Sequence, residues 1–412
     1  MNYNLFIAKK IGKDKGAKLS SLSNNISCVS IAISVIVMLM SISILFGFKK
    51  EVGDKARAFS GQIVFTAPGQ EPVNDLYPIN SDFSFYKDLK SIGGIESISG
   101  IAYSPAMLKT SDQVQGVVFK GVDSLYNLEL FNKNIVEGRA PVFGGMRASN
   151  EILISKRLAN LMGYNVGDRV IAYFIKEKVW VRSFEIVGLF EMQLEDVDKT
   201  FIIADIRHIS KINGWTDADV SCLEITLNNY KEEDRVLSKI DDLLVEKSTD
   251  DDDAVIVKTV RDIYPHLFDW LDLMDLNVII VLVLMMVVAG FNMISGLLII
   301  LFEKISMIGL LKSLGMDDKA IMKIFIYRGS FILFNGLLCG NTIALILIVI
   351  QKHFKVIALN PSNYFVDSVP VVLDFELIIL VNICSIVFMT LIMTVPSFFI
   401  SKVSPSKTIK LN

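Results

Sequence analysis

The sequence predicts a membrane protein with four α-helical spans and one large α+β domain inserted between helices 1 and 2. Three observations predict it. The chain of 412 residues is 52% hydrophobic and 21% charged, with a mean hydropathy of +0.49. It is therefore too apolar for a soluble domain and too charged for a chain lying wholly in lipid. Four runs are long and apolar enough to cross a bilayer, which takes about 20 residues. A long polar stretch with mixed strand and helix patterning separates the first of these runs from the other three.

Residues 1–25 form a basic, amphipathic leading segment that carries Lys9, Lys10, Lys13, Lys15 and Lys18. The first span, 26–48, has no charge and is longer than the apolar part of a signal peptide; Gly47-Phe48-Lys49-Lys50-Glu51 follows it in place of a small-residue cleavage site, so it is expected to be retained. The second span, 276–302, is uncharged, the third, 324–350, carries only Arg328, and the fourth, 375–400, only Glu376. Both charges lie near span ends, where a long side chain can anchor at the interface.

Orientation follows the basic residues of the short flanks. Besides the leading segment, Lys304, Lys312, Lys319, Lys323 and Arg328 surround the 303–323 link, and Lys402, Lys407 and Lys410 lie in the 401–412 tail. These three regions are expected in the cytoplasm. The 49–275 domain and the short 351–374 loop then lie outside it, and Lys49 and Lys50 do not oppose this because long domains translocate largely regardless of charge. Within the domain, Glu151–Ser155 reads as a buried strand, Lys156–Met162 as a helix stopped by Gly163, and Arg169–Ile175 as a strand. Phe184–Phe190, Thr200–Ala204, Ser221–Leu227 and Ala254–Val260 also read as strands, and Asp234–Val245 as a helix.

The net charge of −3 gives no basic surface for nucleic acid. Three of the four cysteines, Cys28, Cys339 and Cys384, lie in apolar runs, and the three histidines, His208, His266 and His353, are far apart, so no metal site is expected. No G-x-x-x-x-G-K-[ST] run occurs, so any ATP would bind another chain. No catalytic set stands out either. Asp250-Asp251-Asp252-Asp253 lacks the spacing and glycine of a calcium loop and reads as a solvated turn. Met38, Met40, Met285, Met286 and Met293 suit either a lipid-like ligand or ordinary helix packing.

In the 303–323 link, Ile305, Ile308 and Leu311 recur at helical spacing, Gly315 can stop the helix, and Asp317 can cap the next one. This segment is either a connector lying in the headgroups or a docking helix for a cytoplasmic protein.

These features carry a family resemblance. Met307 to Met316 is similar to the coupling helix, "I-x-x-L-[KR]-[AST]-L-G", of the MacB/FtsX-like ABC permeases, and Val395-Pro396-Ser397 with Ser404-Pro405-Ser406-Lys407-Thr408-Ile409 resembles their C-terminal ending. Leu5-Phe6-Ile7-Ala8, Gly47 to Glu51, Glu151 to Ser155, Leu158-Ala159 and Val166-Gly167-Asp168 extend the likeness over nearly the whole chain. Within that superfamily the chain looks most like the lipoprotein-releasing (LolC/LolE-type) permeases of Gram-negative bacteria. The resemblance implies an inner-membrane, multi-pass transport subunit with cytoplasmic termini and a MacB-like periplasmic domain. It also implies a dimer with an identical or a different permease and two copies of a cytoplasmic ATPase that binds the ATP and Mg, this chain binding no cofactor. The substrates it implies are lipoproteins lifted toward the outer membrane. Ile308, Leu311, Lys312, Leu314, Gly315 and Met316 would meet the ATPase. Acyl chains would lie by Met38, Ile42, Leu45 and Phe46 of the first span and Val278, Leu282 and Met285 of the second.

One departure concerns the periplasmic lipoprotein carrier. Members that recruit it have a long hairpin where this chain has only a short turn around Lys176-Glu177-Lys178. Recruitment by this subunit is left open, as are two other functions: a MacB-like exporter of peptides, toxins or drugs, and an FtsX-like regulator of cell-wall hydrolases. MacB-like chains usually fuse the ATPase ahead of the first span, and FtsX-like outer domains are generally much smaller. A tethered binding protein without an ATPase would leave the coupling-helix pattern without purpose.

Overall fold

The computed structural model describes residues 18–69, 77–82, 86–110, 113–124, 126–247 and 255–398. Lys9 to Lys15, Leu5 to Ala8, the Asp250–Asp253 run and the tail from Ser404 onward lie outside these residues. Four helices among the described residues are long and apolar enough to cross a membrane. They run Lys18–Ser60, Pro265–Glu303, Asp318–Phe354 and Phe375–Phe398. The first three extend beyond their uncharged centres. Pro265 opens the second helix, where its fixed φ and missing N–H cost nothing. Beyond the apolar centre, Lys49 on the first helix pairs with Asp275 at 2.5 Å and Asp272 at 3.3 Å on the second.

The chain divides into two compact units, one of residues up to 49, 270–358 and from 368 onward, the other of 50–269 with 359–367. The first unit is helical. Its core joins Ile31, Val35 and Met38 with Ala289, Met293, Ile332 and Met389. Close helix approach rests on glycine: a Cβ on Gly336 would lie 2.8 Å from Ile31, and one on Gly340 2.9 Å from the Ala32 carbonyl oxygen and from Val35. Asn341 and Asn382 exchange amide hydrogen bonds of 2.7 and 2.9 Å between the third and fourth helices, as polar pairs do between packed helices in lipid.

The second unit is α+β. Its strands are β1 (Ile63–Thr66), β2 (Ile79–Asn80), β3 (Ile95–Lys109), β4 (Val114–Val122), β5 (Ile135–Gly138), β6 (Glu151–Ser155), β7 (Arg169–Ile175), β8 (Val179–Phe190), β9 (Phe201–Asp205), β10 (Asp219–Val220), β11 (Cys222–Leu227) and β12 (Ile256–Thr259). The 15-residue β3 serves two sheets. Its first half, to Ile101, pairs with β11, which leads through β1 to β12. Its second half, from Ala102, pairs with β4 and β7, and the order β3-β4-β9-β6-β8-β7 returns to β3 and closes on itself.

The alternation along these strands sends Leu108, Phe119, Ile154, Phe174, Phe184 and Ile202 into one core. A second core holds Phe59, Tyr103, Phe131, Leu153, Phe190 and Ile203. The third lies between β1, β11 and the helices Tyr86–Ser91 and Glu233–Lys247. The helix Lys156–Met162 forms as expected, with Ser155 Oγ accepting from the Leu158 N–H and Gly163 left-handed at its end. β8 begins at Val179, so the β7–β8 hairpin turns within Lys176–Lys178.

The segment 359–367 differs from a simple loop. It packs with the α+β unit, where Phe365 joins the Phe59 core and accepts a 3.0 Å hydrogen bond from Lys55 through its carbonyl. Gln193, a non-glycine residue with φ +60, bonds to Lys55 and to Asp367.

Candidate functional site

The link between the second and third long helices is itself a helix, Ile305–Ser313. It stops because Gly315 takes φ +87, while the Gly315 N–H donates to the Lys312 carbonyl and the Met316 N–H to the Leu311 carbonyl, both at 3.0 Å. That pair of bonds is a Schellman closure. Asp317 occupies the N-cap of the next helix, but no side-chain cap bond forms; its carbonyl accepts from Ala320 and Ile321.

The exposed face of this helix differs from the one the spacing suggested. Ile308 is fully buried in the helical core, and Leu311 and Met316 pack against that core. Lys312 is nearly buried and pairs with Asp318 at 2.8 Å. Ile308 and Lys312 therefore cannot present themselves to a partner as expected. Leu310 and Leu314, 57% and 76% exposed, lie one turn apart on the open side of the helix, beside the exposed Gly315. Leu310 was missed because the helix is apolar on more than one side. The adjacent pair Leu310-Leu311 and Leu314 carried that signal.

The span residues also separate. Met38 and Leu45 are 1% and 6% exposed, Met38 within the helical core, so an acyl chain cannot reach either while they stay covered. Ile42 and Phe46 line a small cleft of about 10 Å³ with Leu39, Ile348, Leu377 and Ile378. The structure thus sets them toward the third and fourth helices. Ser43, in the same cleft, exchanges hydrogen bonds with the Val372 backbone. Val278, Leu282 and Met285 are half-buried, the last two against the helical core. The second helix exposes Ile279, Ile280, Val283, Val287 and Phe291.

In the α+β unit, a polar cleft of about 290 Å³ is lined by Lys156, Asn160, Glu191, Gln193, Asp198 and Pro361, among others. The Asp198 carboxylate accepts from the backbone N–H groups of Met192 at 3.0 Å and Gln193 at 2.8 Å. Burial nevertheless pushes its pKa up to about 6, the two bonds only partly offsetting the desolvation. No group of three or more histidine, cysteine or carboxylate side chains that could hold a metal occurs among the described residues.

Two family models match the chain: the MacB-like periplasmic core domain over residues 26–243 and the FtsX-like permease C-terminal over 279–405. A curated relative, the "lipoprotein-releasing system transmembrane protein LolC" of Neisseria meningitidis serogroup B, is 23% identical over 93% of each chain. LolE of Haemophilus influenzae, which bears the same system name, is 21% identical over 99% of each. Among solved structures, the periplasmic region of MacB from Actinobacillus actinomycetemcomitans covers 50% of this chain and 92% of its own, with 11% identity and a TM-score of 0.35. With more than half of its length matched by the MacB-like core and the FtsX-like region following it, the chain belongs to the MacB/FtsX-like family of ABC transporter permeases.

Proposed function

We propose that this chain is the permease subunit of an ATP-driven transporter that extracts lipidated proteins from the inner membrane for transfer to the outer membrane. The observation that carries the reading is full-length similarity to permeases named for lipoprotein release, 93% of both chains for the Neisseria protein. On this reading the termini and the Ile305–Ser313 helix are cytoplasmic, and the α+β unit is periplasmic, between the first two spans. Two copies of a separate ATPase bind ATP and Mg, and a second permease, identical or different, completes the membrane part.

Leu310 and Leu314, with Gly315 holding the turn, meet the ATPase. Leu311, Met316, Ile308 and Lys312 set that surface from behind. Acyl chains lie against the exposed faces of the first two helices, at Phe46 and beside Val278, Leu282 and Met285, and reach Ile42 once the helices part. A periplasmic carrier then takes the lipoprotein, with the short β7–β8 turn as this subunit's smallest possible contribution.

Reconstitution tests the proposal. Liposomes holding the permease, its ATPase and a lipidated outer-membrane protein should release that protein on addition of ATP and a carrier. Cargo that stays in the liposomes while ATP is hydrolysed would refute lipoprotein release. Export of a peptide or drug by the same liposomes would favour the MacB-like reading instead.

A further inference from the structure

Apolar side chains on the open faces of the four long helices need no partner in lipid, but polar ones do. The exposed hydroxyls of Ser295 on the second helix, Thr342 on the third, and Thr390 and Thr394 on the fourth each donate to a carbonyl of their own helix, at 2.7 to 3.0 Å. Asn341 and Asn382 also bond back, to the Leu337 and Ile378 carbonyls at 2.7 Å, and complete their amides against each other. Asn335 does neither. Its side chain is exposed near the middle of the apolar 324–350 run, and no hydrogen bond reaches it from within the chain. A side chain this short cannot extend to the headgroups as a lysine or arginine does, so the amide alone stays unpaired in hydrocarbon.

The residues around Asn335 form a seam. Phe331, Asn335, Leu338, Thr342 and Ile346 are all exposed, and steps of three or four residues keep them on one side of the third helix. Gly336 and Gly340 meet the first helix on another side, and Asn341 meets the fourth on yet another. Arg328, one heptad before Asn335, is half-buried near the start of the run, where its long side chain extends to the headgroups, so the seam begins at Phe331. Apolar residues at steps of three and four with one asparagine among them are the pattern by which parallel helices pair, the asparagine fixing the register.

An amide offers both a donor and an acceptor, so it is complementary to a second amide, as Asn341 and Asn382 are at 2.7 and 2.9 Å. Copies of one chain in one membrane share their orientation. A twofold axis relating them therefore runs along the membrane normal and sets their third helices parallel, each seam residue opposite its own counterpart. Asn335 then meets Asn335, with the apolar seam residues packed on either side.

We infer that the exposed seam of the third long helix, Phe331 to Ile346, is a contact surface for a second copy of this chain, held in register by a pair of Asn335 amides. The contact is separate from the exposed faces of the first two helices, where the acyl chains are placed. It goes beyond the transport reading and does not depend on the cargo.

Disulfide trapping of the full chain in cell membranes tests the seam. In a C339S/C384S background, which removes the exposed thiols, Leu338→Cys should give a disulfide-linked dimer on oxidation. Leu380→Cys, similarly exposed on the fourth helix, should not. Neither leucine belongs to the helical core, so both variants should fold. Adding Asn335→Leu should lower the trapped fraction about threefold or more, the loss expected of an interhelical polar pair in lipid. Trapping at Leu338 no stronger than at Leu380 would overturn the inference and leave the seam to lipid or to a different spanning protein. Trapping unchanged by Asn335→Leu would overturn it too, because the amide would then hold nothing. The unmodified protein gives an independent reading. Cys339 is exposed one turn beyond Asn335, at the flank of the seam, so a short bifunctional thiol reagent should join two wild-type copies, and Cys339→Ser but not Cys384→Ser should abolish the product. Absence of the product, or its persistence in Cys339→Ser, would overturn the inference.

Discussion

Alanine at both Leu310 and Leu314 removes the exposed leucine surface assigned to the ATPase. The two side chains are 57% and 76% exposed, and burying a whole leucine is worth about 1.5–3 kcal/mol. Covering the exposed parts of both is then worth about 2–4 kcal/mol. Since about 1.4 kcal/mol is a tenfold change, L310A/L314A should weaken ATPase binding on the order of 100-fold. Ile308→Ala is the contrasting variant, because its side chain fills the helical core. It should cost about 2–5 kcal/mol of stability and leave the affinity of the folded fraction nearly unchanged. The assay is titration of purified permease in detergent with its ATPase, beside thermal unfolding of each variant. Wild-type affinity in L310A/L314A, or loss of affinity without loss of stability in I308A, would refute the assignment of faces.

Three further outcomes follow from the geometry. Gly315→Val should fray the Schellman closure, since φ +87 costs a side-chain-bearing residue about 1–2 kcal/mol, while Gly315→Asn should be tolerated; ATPase affinity compares the two. Gly340→Leu should destabilise the helical unit by about 1–3 kcal/mol through overpacking, more than the ~0.6 kcal/mol typical of a lost polar pair in lipid and expected of N341L/N382L, as thermal unfolding in detergent would show. Because the Asp198 pKa is raised to about 6 in the fold, the folded chain holds that proton more tightly than the unfolded one. Stability from this group is present below the ordinary carboxylate range and is lost as pH rises to about 6, a change of about 3 kcal/mol. Asp198→Asn should flatten that part of the stability profile between pH 4 and 7 in chemical denaturation, and an unchanged slope would contradict it.

Much of this architecture was legible in the sequence because lipid imposes a coarse rule: an uncharged run of some 20 residues has few other uses. The end of the Lys156–Met162 helix was legible because Gly163 is a local stop signal, and the structure sets it left-handed there. The faces of the Ile305–Ser313 helix were not. Periodicity shows where apolar residues recur, but a helix pressed against a core on one side and open on another is apolar on both. The same limit hid the burial of Met38 and Leu45, since a span that packs and a span that meets lipid have the same composition.

Long-range pairings were out of reach for a different reason. Lys120 and Glu224 are 104 positions apart, and Gln193 and Asp367 are 174 apart. Lys120 was not singled out in the sequence, and although its run is apolar, nothing local to it names Glu224 as its partner. The 359–367 segment gave no warning that it packs with the α+β unit, since it is short and its Asn360-Pro361-Ser362-Asn363 run reads like any connector.

The measurement that tests the central claim most directly is depletion of this protein in its own cell, followed by fractionation of the two membranes before growth fails. The account predicts that lipidated outer-membrane proteins accumulate in the inner membrane. Normal sorting of those proteins after depletion would contradict it.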